Sequence, residues 1–203
     1  MSTVELLVFR HGETDWNRER RLQGHTNTAL NDTGKAQAKE LAQVIKKHKP
    51  ELIVCSDLLR AQETAKIVNE DLNLPLVISS ELRECMLGLA EGLLFDEIIK
   101  RFGADSWDRW LSVKEEDKDF GFPGGQKKSE HTKKLIKFLE HFLDEHKELK
   151  LVGISTHGGS LRRIVHYAEG SPTTPVSLDN CALYRLVYDR EKKTWRYLGQ
   201  IKD

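Results

Sequence analysis

The sequence predicts an α/β protein: a three-layer sandwich with helices on both faces of a mostly parallel sheet. Short apolar runs of strand length alternate with longer segments whose apolar residues recur at the helical period. The runs are apolar nearly throughout rather than alternating, as strands buried on both faces require. Polar and charged residues gather just after several of these runs, where open α/β sheets bind their ligands.

The first strand, residues 4–9, is followed by Arg10, His11, Gly12 and Glu13. Thr33-Gly34-Lys35-Ala36-Gln37 offers an N-cap and first turn, and Ala38, Leu41, Ala42 and Ile45 then fall on one helical face. A second strand at 52–55 leads to Ser56, Asp57 and, a turn later, Arg60, while a third at 75–78 leads to Glu81, Arg83 and Glu84. Residues 103–129 break the alternation with mixed charge, two tryptophans and Phe120-Gly121-Phe122-Pro123-Gly124-Gly125. The segment 94–129 is therefore expected to cover one sheet edge and set specificity; an ordinary connector with Trp107 and Trp110 in the core is the other reading. Leu135, Phe138, Leu139, Phe142 and Leu143 mark a helix over about 130–146. A strand at 150–155 opens through Thr156-His157-Gly158-Gly159 onto a helix, and 182–187 is the fifth strand. No interdomain linker or repeat interrupts the 203 residues, which read as a single domain.

Lysine plus arginine and aspartate plus glutamate number 32 each, so no overall field draws nucleic acid or an anionic membrane, and any anion must be held locally. The three cysteines, Cys55, Cys85 and Cys181, lack C-x-x-C spacing and read as free thiols. Neither an export signal nor a run of membrane-spanning length is present, and the expected setting is the cytoplasm. Among the eight histidines no H-x-x-x-H pair occurs, and no C-x-x-C accompanies the H-x-E triplets at 11–13 and 146–148, so neither a metal nor another cofactor is anticipated.

The residues after the strands suit a phosphoryl group. Guanidinium forks match its oxygens with charge-assisted hydrogen bonds, and Arg10 and Arg60 are the candidates. Gly158-Gly159 at a helix start leaves backbone N–H groups free for an anion. A neutral imidazole beside arginines can attack phosphorus, a role open to His11 or His157. Other readings stand at this point: Arg60 paired with Glu63 on a helix surface, Glu84 as a solvated loop acid, His157 as a hydrogen-bonded core residue.

Taken in order, LVFRHGETDWN (7–17), LQGHTNTALNDTGKAQA (22–38), SDLLRAQETA (56–65), LRECMLGLAEGL (82–93), PGG (123–125) and ISTHGGSLRRI (154–164) resemble the histidine phosphatase superfamily, in its phosphoglycerate mutase-like branch. That resemblance implies His11 as the nucleophile that becomes phosphohistidine, and Arg10, Arg60, His157 and Asn17 as holders of the phosphoryl oxygens. Gln23, Gly24 and Gly158 border the substrate. Glu84 protonates the leaving oxygen and later takes a proton from water. A small phosphorylated metabolite is the implied substrate, with hydrolysis favoured over mutase-type transfer because the chain is compact and lacks the mutases' insertion. A silent phosphate-binding module is the remaining alternative. The chain departs from the family at Asn27, Ala90 and Gln126, outside the expected phosphate cage, and the absence of Arg-x-Pro after Arg10-His11-Gly12 separates it from the acid phosphatases.

Overall fold

The computed structural model describes residues 2–202. Six strands, β1 (Thr3–Arg10), β2 (Leu52–Ser56), β3 (Leu76–Ser79), β4 (Leu151–Thr156), β5 (Leu183–Asp189) and β6 (Thr194–Ile201), form one sheet in the order β3-β2-β4-β1-β5-β6. The pairings β3–β2, β2–β4 and β4–β1 are parallel; β1–β5 and β5–β6 are antiparallel. The sheet is mostly parallel, as the apolar runs predict. The expected strands appear within a few residues of their predicted bounds. The sixth, β6, is a strand the sequence reading lacks: its residues alternate between exposed and half-buried at the sheet edge, so no apolar run announces it.

Helices α1 (Asp15–Arg18), α2 (Asp32–His48), α3 (Leu59–Asn69), α4 (Phe95–Phe102), α5 (Ser106–Leu111), α6 (Lys128–Glu145) and α7 (Gly158–Glu169) complete the element order, with three short 3-10 turns. Because side chains alternate along a strand, β1 serves two cores at once. Val4, Leu6 and Val8 join residues of α6 and α7, such as Leu135, Leu139, Leu161 and Ile164, on one face. Leu7 and Phe9 join Leu41 and Ile45 of α2 and Ala65 and Val68 of α3 on the other. These are the three predicted layers. The cap of α2 differs from expectation: Asn31, not Thr33, precedes the helix, its Oδ1 accepting from the Gly34 N–H at 2.8 Å, with Thr33 already inside the first turn.

Helices α4 and α5 rest on a third apolar cluster, apart from the sheet. Ile98 and Trp110 pack there with Cys85, Leu87, Ala90 and Phe122. Trp110 is thus buried, but in this separate nucleus and not in either sheet core. The loops are joined by Glu91, whose carboxylate accepts from the N–H groups of His25 and Leu87, both at 3.0 Å, and from the Thr26 hydroxyl.

Candidate active site

The parallel strands β1, β2 and β4 end on the same side of the sheet, which brings their following residues together. Arg10, His11, Asn17, Gln23, Gly24, Arg60, Glu84 and Gly158 all line one cavity of about 280 Å³, together with Arg21, Trp107, Trp110 and Arg162. His157 stands behind it, its ring centroid 5.3 Å from that of His11.

His11 is 2% exposed. Its Nδ1 lies 2.7 Å from the Gly12 carbonyl, so Nδ1 carries the proton and donates it there, and Nε2 keeps a lone pair. Its own carbonyl accepts from Asn180 Nδ2 at 3.1 Å. Burial, then the charges of Arg60 and Arg10, holds the imidazole well below its ordinary pKa of 6.5. His157, with Nε2 2.8 Å from Ser56 Oγ, is depressed for the same reasons, burial first and Arg60 next. Ser56 Oγ also accepts from the Leu58 N–H at 3.3 Å. Donation of its hydroxyl to Nε2 leaves His157 Nδ1 as an N–H donor, and no described group accepts from that nitrogen.

Arg60 does not pair with Glu63. Its terminal nitrogens donate to the Thr26 and Gly24 carbonyls, each at 2.8 Å, while Glu63 accepts from the Leu30 N–H. Arg10 donates to the Leu178 carbonyl. These carbonyl tethers fix both guanidinium groups without neutralising them, and each keeps a buried Nε with no hydrogen-bond partner. Burial lowers the Arg60 pKa to about 10, which leaves it charged at neutral pH.

Glu84 is no solvated loop acid: its side chain is 14% exposed. The carboxylate accepts from the N–H groups of Gly159 at 2.7 Å and Cys85 at 2.9 Å, and from Ser160 Oγ at 3.2 Å. Burial pushes its pKa up, but His131, Arg163 and those two N–H groups outweigh burial, and the carboxyl sits below its ordinary value. A Cβ at Gly159 would lie 2.6 Å from Glu84 Oε1, so the glycine leaves room for the acid. Asn17 Oδ1 is occupied by the Thr14 N–H and by Asn180 Nδ2. Arg83, adjacent in sequence, turns to a two-pronged pair with Asp57 at 2.6 and 2.7 Å, tying the ends of β2 and β3.

Sequence reasoning missed His131. It lies on α6 with Nε2 3.0 Å from Ser160 Oγ and 3.9 Å from Glu84 Oε1, and burial lowers its pKa to about 3. Only a helical period that puts position 131 on the buried face with Leu135 hints at it. The departures from the family pattern keep local jobs: Asn27 Oδ1 accepts from the Leu59 N–H at 2.7 Å, Gln126 Oε1 accepts from the Met86 N–H, and Ala90 is buried in the third apolar cluster. Among the described residues no group of His, Cys, Asp or Glu side chains converges as a metal site requires, and no helix is long and apolar enough to cross a membrane.

The chain is similar in sequence and fold to known proteins. Phosphoglycerate mutase-like protein 4 of Arabidopsis thaliana is 33% identical over 98% of this chain and 86% of its own length. The uncharacterized phosphatase PhoE of Bacillus subtilis is 32% identical over 98% and 92%. A mycobacterial glucosyl-3-phosphoglycerate phosphatase, solved with inorganic phosphate, superposes with a TM-score of 0.85 at 26% identity, covering 97% of this chain and 96% of that one. With residues 6–200 also matching the family's description, the chain belongs to the histidine phosphatase superfamily, branch 1.

Proposed function

We propose that this enzyme hydrolyses a small phosphomonoester through a covalent phosphohistidine on His11, without a metal. One observation carries the reading. The Gly12 carbonyl fixes the His11 tautomer so that Nε2 keeps its lone pair, in a cavity bordered by two tethered, charged guanidinium groups. Arg10, Arg60 and His157 Nδ1 hold the phosphoryl oxygens, and Asn17 contributes its Nδ2, the amide end that Thr14 and Asn180 leave free. Gly158, at the start of α7, adds a backbone N–H. Gln23 and Gly24 border the rest of the substrate. Residues 94–129 are its cover, a role supported by Trp107, Trp110 and Leu111 lining the cavity.

Nε2 attacks phosphorus, the phosphorus–oxygen bond to the alcohol breaks, and the departing oxygen takes a proton from Glu84. Water then attacks the phosphohistidine and gives a proton to Glu84; the nitrogen–phosphorus bond breaks, its electron pair returns to the ring, and phosphate leaves. Glu84 is ionised in the free site, so its proton arrives with substrate: a dianion alongside raises the carboxyl pKa, and the ester's own monoanion carries a proton below a second pKa of about 6. The arginines stabilise charge in the transition state where a metal would otherwise do so.

The alternative reading, transfer to a second hydroxyl, draws support from the relative named as phosphoglycerate mutase-like. The test is a phosphomonoester panel with and without chelator and with glycerate as acceptor. His11→Ala should lower kcat/KM by about 10⁴-fold or more, and acid quenching of the native enzyme should trap an acid-labile phosphoenzyme. Normal turnover in the variant would remove the proposal. Phosphate binding with no turnover of any ester would favour the silent module.

A further inference from the structure

A second cavity, about 480 Å³ in volume, lies along α7 beside the catalytic one and shares Arg162 with it. The end of α5 separates them: Trp110 and Leu111 line the catalytic side, Ser112 and Val113 the other. Five cationic side chains, Lys114, Lys118, Lys128, Arg162 and Arg163, line this second cavity against one carboxylate, Glu115. Lys118 already pairs with Glu115. Lys128 donates to the carbonyls of Arg109 and Ser112 at 2.7 and 2.8 Å, and Arg163 donates to the Gly159 carbonyl and lies over the Trp110 ring. The carbonyl contacts of Lys128 and Arg163 supply no negative charge, although the charges of Asp117 and Glu84 act on those two side chains. Lys114 reaches only the exposed Glu116, at 3.8 Å.

Arg162 is the outlier. Half-buried between the two cavities, its guanidinium makes no hydrogen bond or ion pair with any described residue. Burial and the neighbouring Arg163 both disfavour its charge, and only Glu84 favours it. A partly desolvated guanidinium without a partner is costly unless a ligand supplies one.

The helix sets the spacing. Gly158, where α7 begins, abuts Arg10: a Cβ there would lie 3.2 Å from Arg10 Nε, so the helix start marks the phosphoryl site. Arg162 is one turn further on and His166 two, about 6 and about 12 Å along the axis at about 1.5 Å per residue.

We propose that the basic cavity is a second anion subsite, and that the preferred substrate is a phosphomonoester bearing a second anionic group, carboxylate or phosphate, about 6–12 Å from the reacting phosphoryl. Arg162 and Lys114 bind that group. For the first anion the inference rests on the hydrolase reading above. A separation of about 6 Å takes about five or more bonds at about 1.5 Å each, so a phosphate and a carboxylate on neighbouring carbons do not reach both sites.

The experiment compares hexyl phosphate with hexanediol bisphosphate phosphorylated at both ends, with the matching ω-carboxylate ester, and with phosphoglycolate as the short two-anion control. The long two-anion esters should show kcat/KM about 10- to 100-fold above hexyl phosphate, mostly through KM, and phosphoglycolate should show no such gain. The two long esters separate a phosphate from a carboxylate preference. Arg162→Gln should bring the ratio of long two-anion to one-anion kcat/KM close to unity. Lys114→Gln, on the exposed rim, should reduce it by a smaller factor. A ratio near unity in the native enzyme, or one unmoved by both variants, would overturn the subsite. Should no ester be hydrolysed, calorimetric titration with the same compounds separates the two ideas. Tighter binding of the long dianions that Arg162→Gln abolishes would keep the subsite and remove the hydrolase reading; equal affinities would remove the subsite.

Discussion

His11 and His157 are neutral in a site that carries one buried and one half-buried arginine, because burial and those charges act in the same direction on both rings. As the proposed nucleophile, His11 therefore needs no deprotonation, and the acid limb of kcat/KM should lie below the unperturbed histidine value of about 6.5. In the proposed mechanism the proton that Glu84 delivers comes in with the ester, so kcat/KM should fall about tenfold per pH unit above the ester's second pKa of about 6. A pH–rate profile on an alkyl phosphate checks both limbs. Glu84→Gln should slow alkyl phosphates by about 10²- to 10⁴-fold and nitrophenyl phosphate far less, since that leaving group needs little protonation; equal slowing would assign the acid elsewhere. Arg10, His11 and His157 were legible because they directly follow apolar strands. His131 and the Ser56 tautomer lock were not, since each depends on a partner from a distant part of the chain, 29 residues away for His131–Ser160 and 101 for His157–Ser56.

At the scale of elements, α3 carries Arg60 in its first turn and has no cap of its own: Leu58 precedes it and offers no side-chain acceptor. Asn27 supplies one from another loop through its 2.7 Å bond to the Leu59 N–H. Asn27→Ala should cost about 1 kcal/mol of stability, read from the urea midpoint, and raise KM by loosening Arg60; Asn27→Asp should retain most of both because it keeps the acceptor. The sequence reveals the position only as a departure from a family pattern, since the spacing to residue 59 is closed by the fold. Strand β6 escaped for a different reason. Trp195 and Tyr197 alternate with Thr194, Arg196 and Leu198 on a half-exposed edge, a period-of-two signal weaker than the buried runs that gave β1, β2 and β4 away. Residues 103–129 stand out in the sequence as a break in pattern, but the short helices α4 and α5 do not, because most of their packing partners lie at 85–90, before the proposed cover begins.

At the scale of the molecule, three histidines among the described residues are fully buried and held low, His11 and His157 well below 6.5 and His131 at about 3, and half-buried His166 is lowered as well. In the unfolded chain each titrates near 6.5, so below that pH the unfolded state binds protons that the native state refuses, and stability falls with acid. Between pH 7.5 and 5.5 the loss is about 1.4 kcal/mol per histidine and about 4 kcal/mol for the three. Urea unfolding at the two pH values should show it, and His131→Gln should remove about one third. An unchanged midpoint would mean that these rings charge freely in the native state. The apolar nucleus under α4 and α5 has its own consequence at this scale. It includes Cys85, the immediate neighbour of Glu84, and stands clear of both layers that hold the sheet together. With substrate choice assigned to residues 94–129 and proton delivery to Glu84, as proposed, repacking this nucleus should disturb both together while leaving the guanidinium cradle in place.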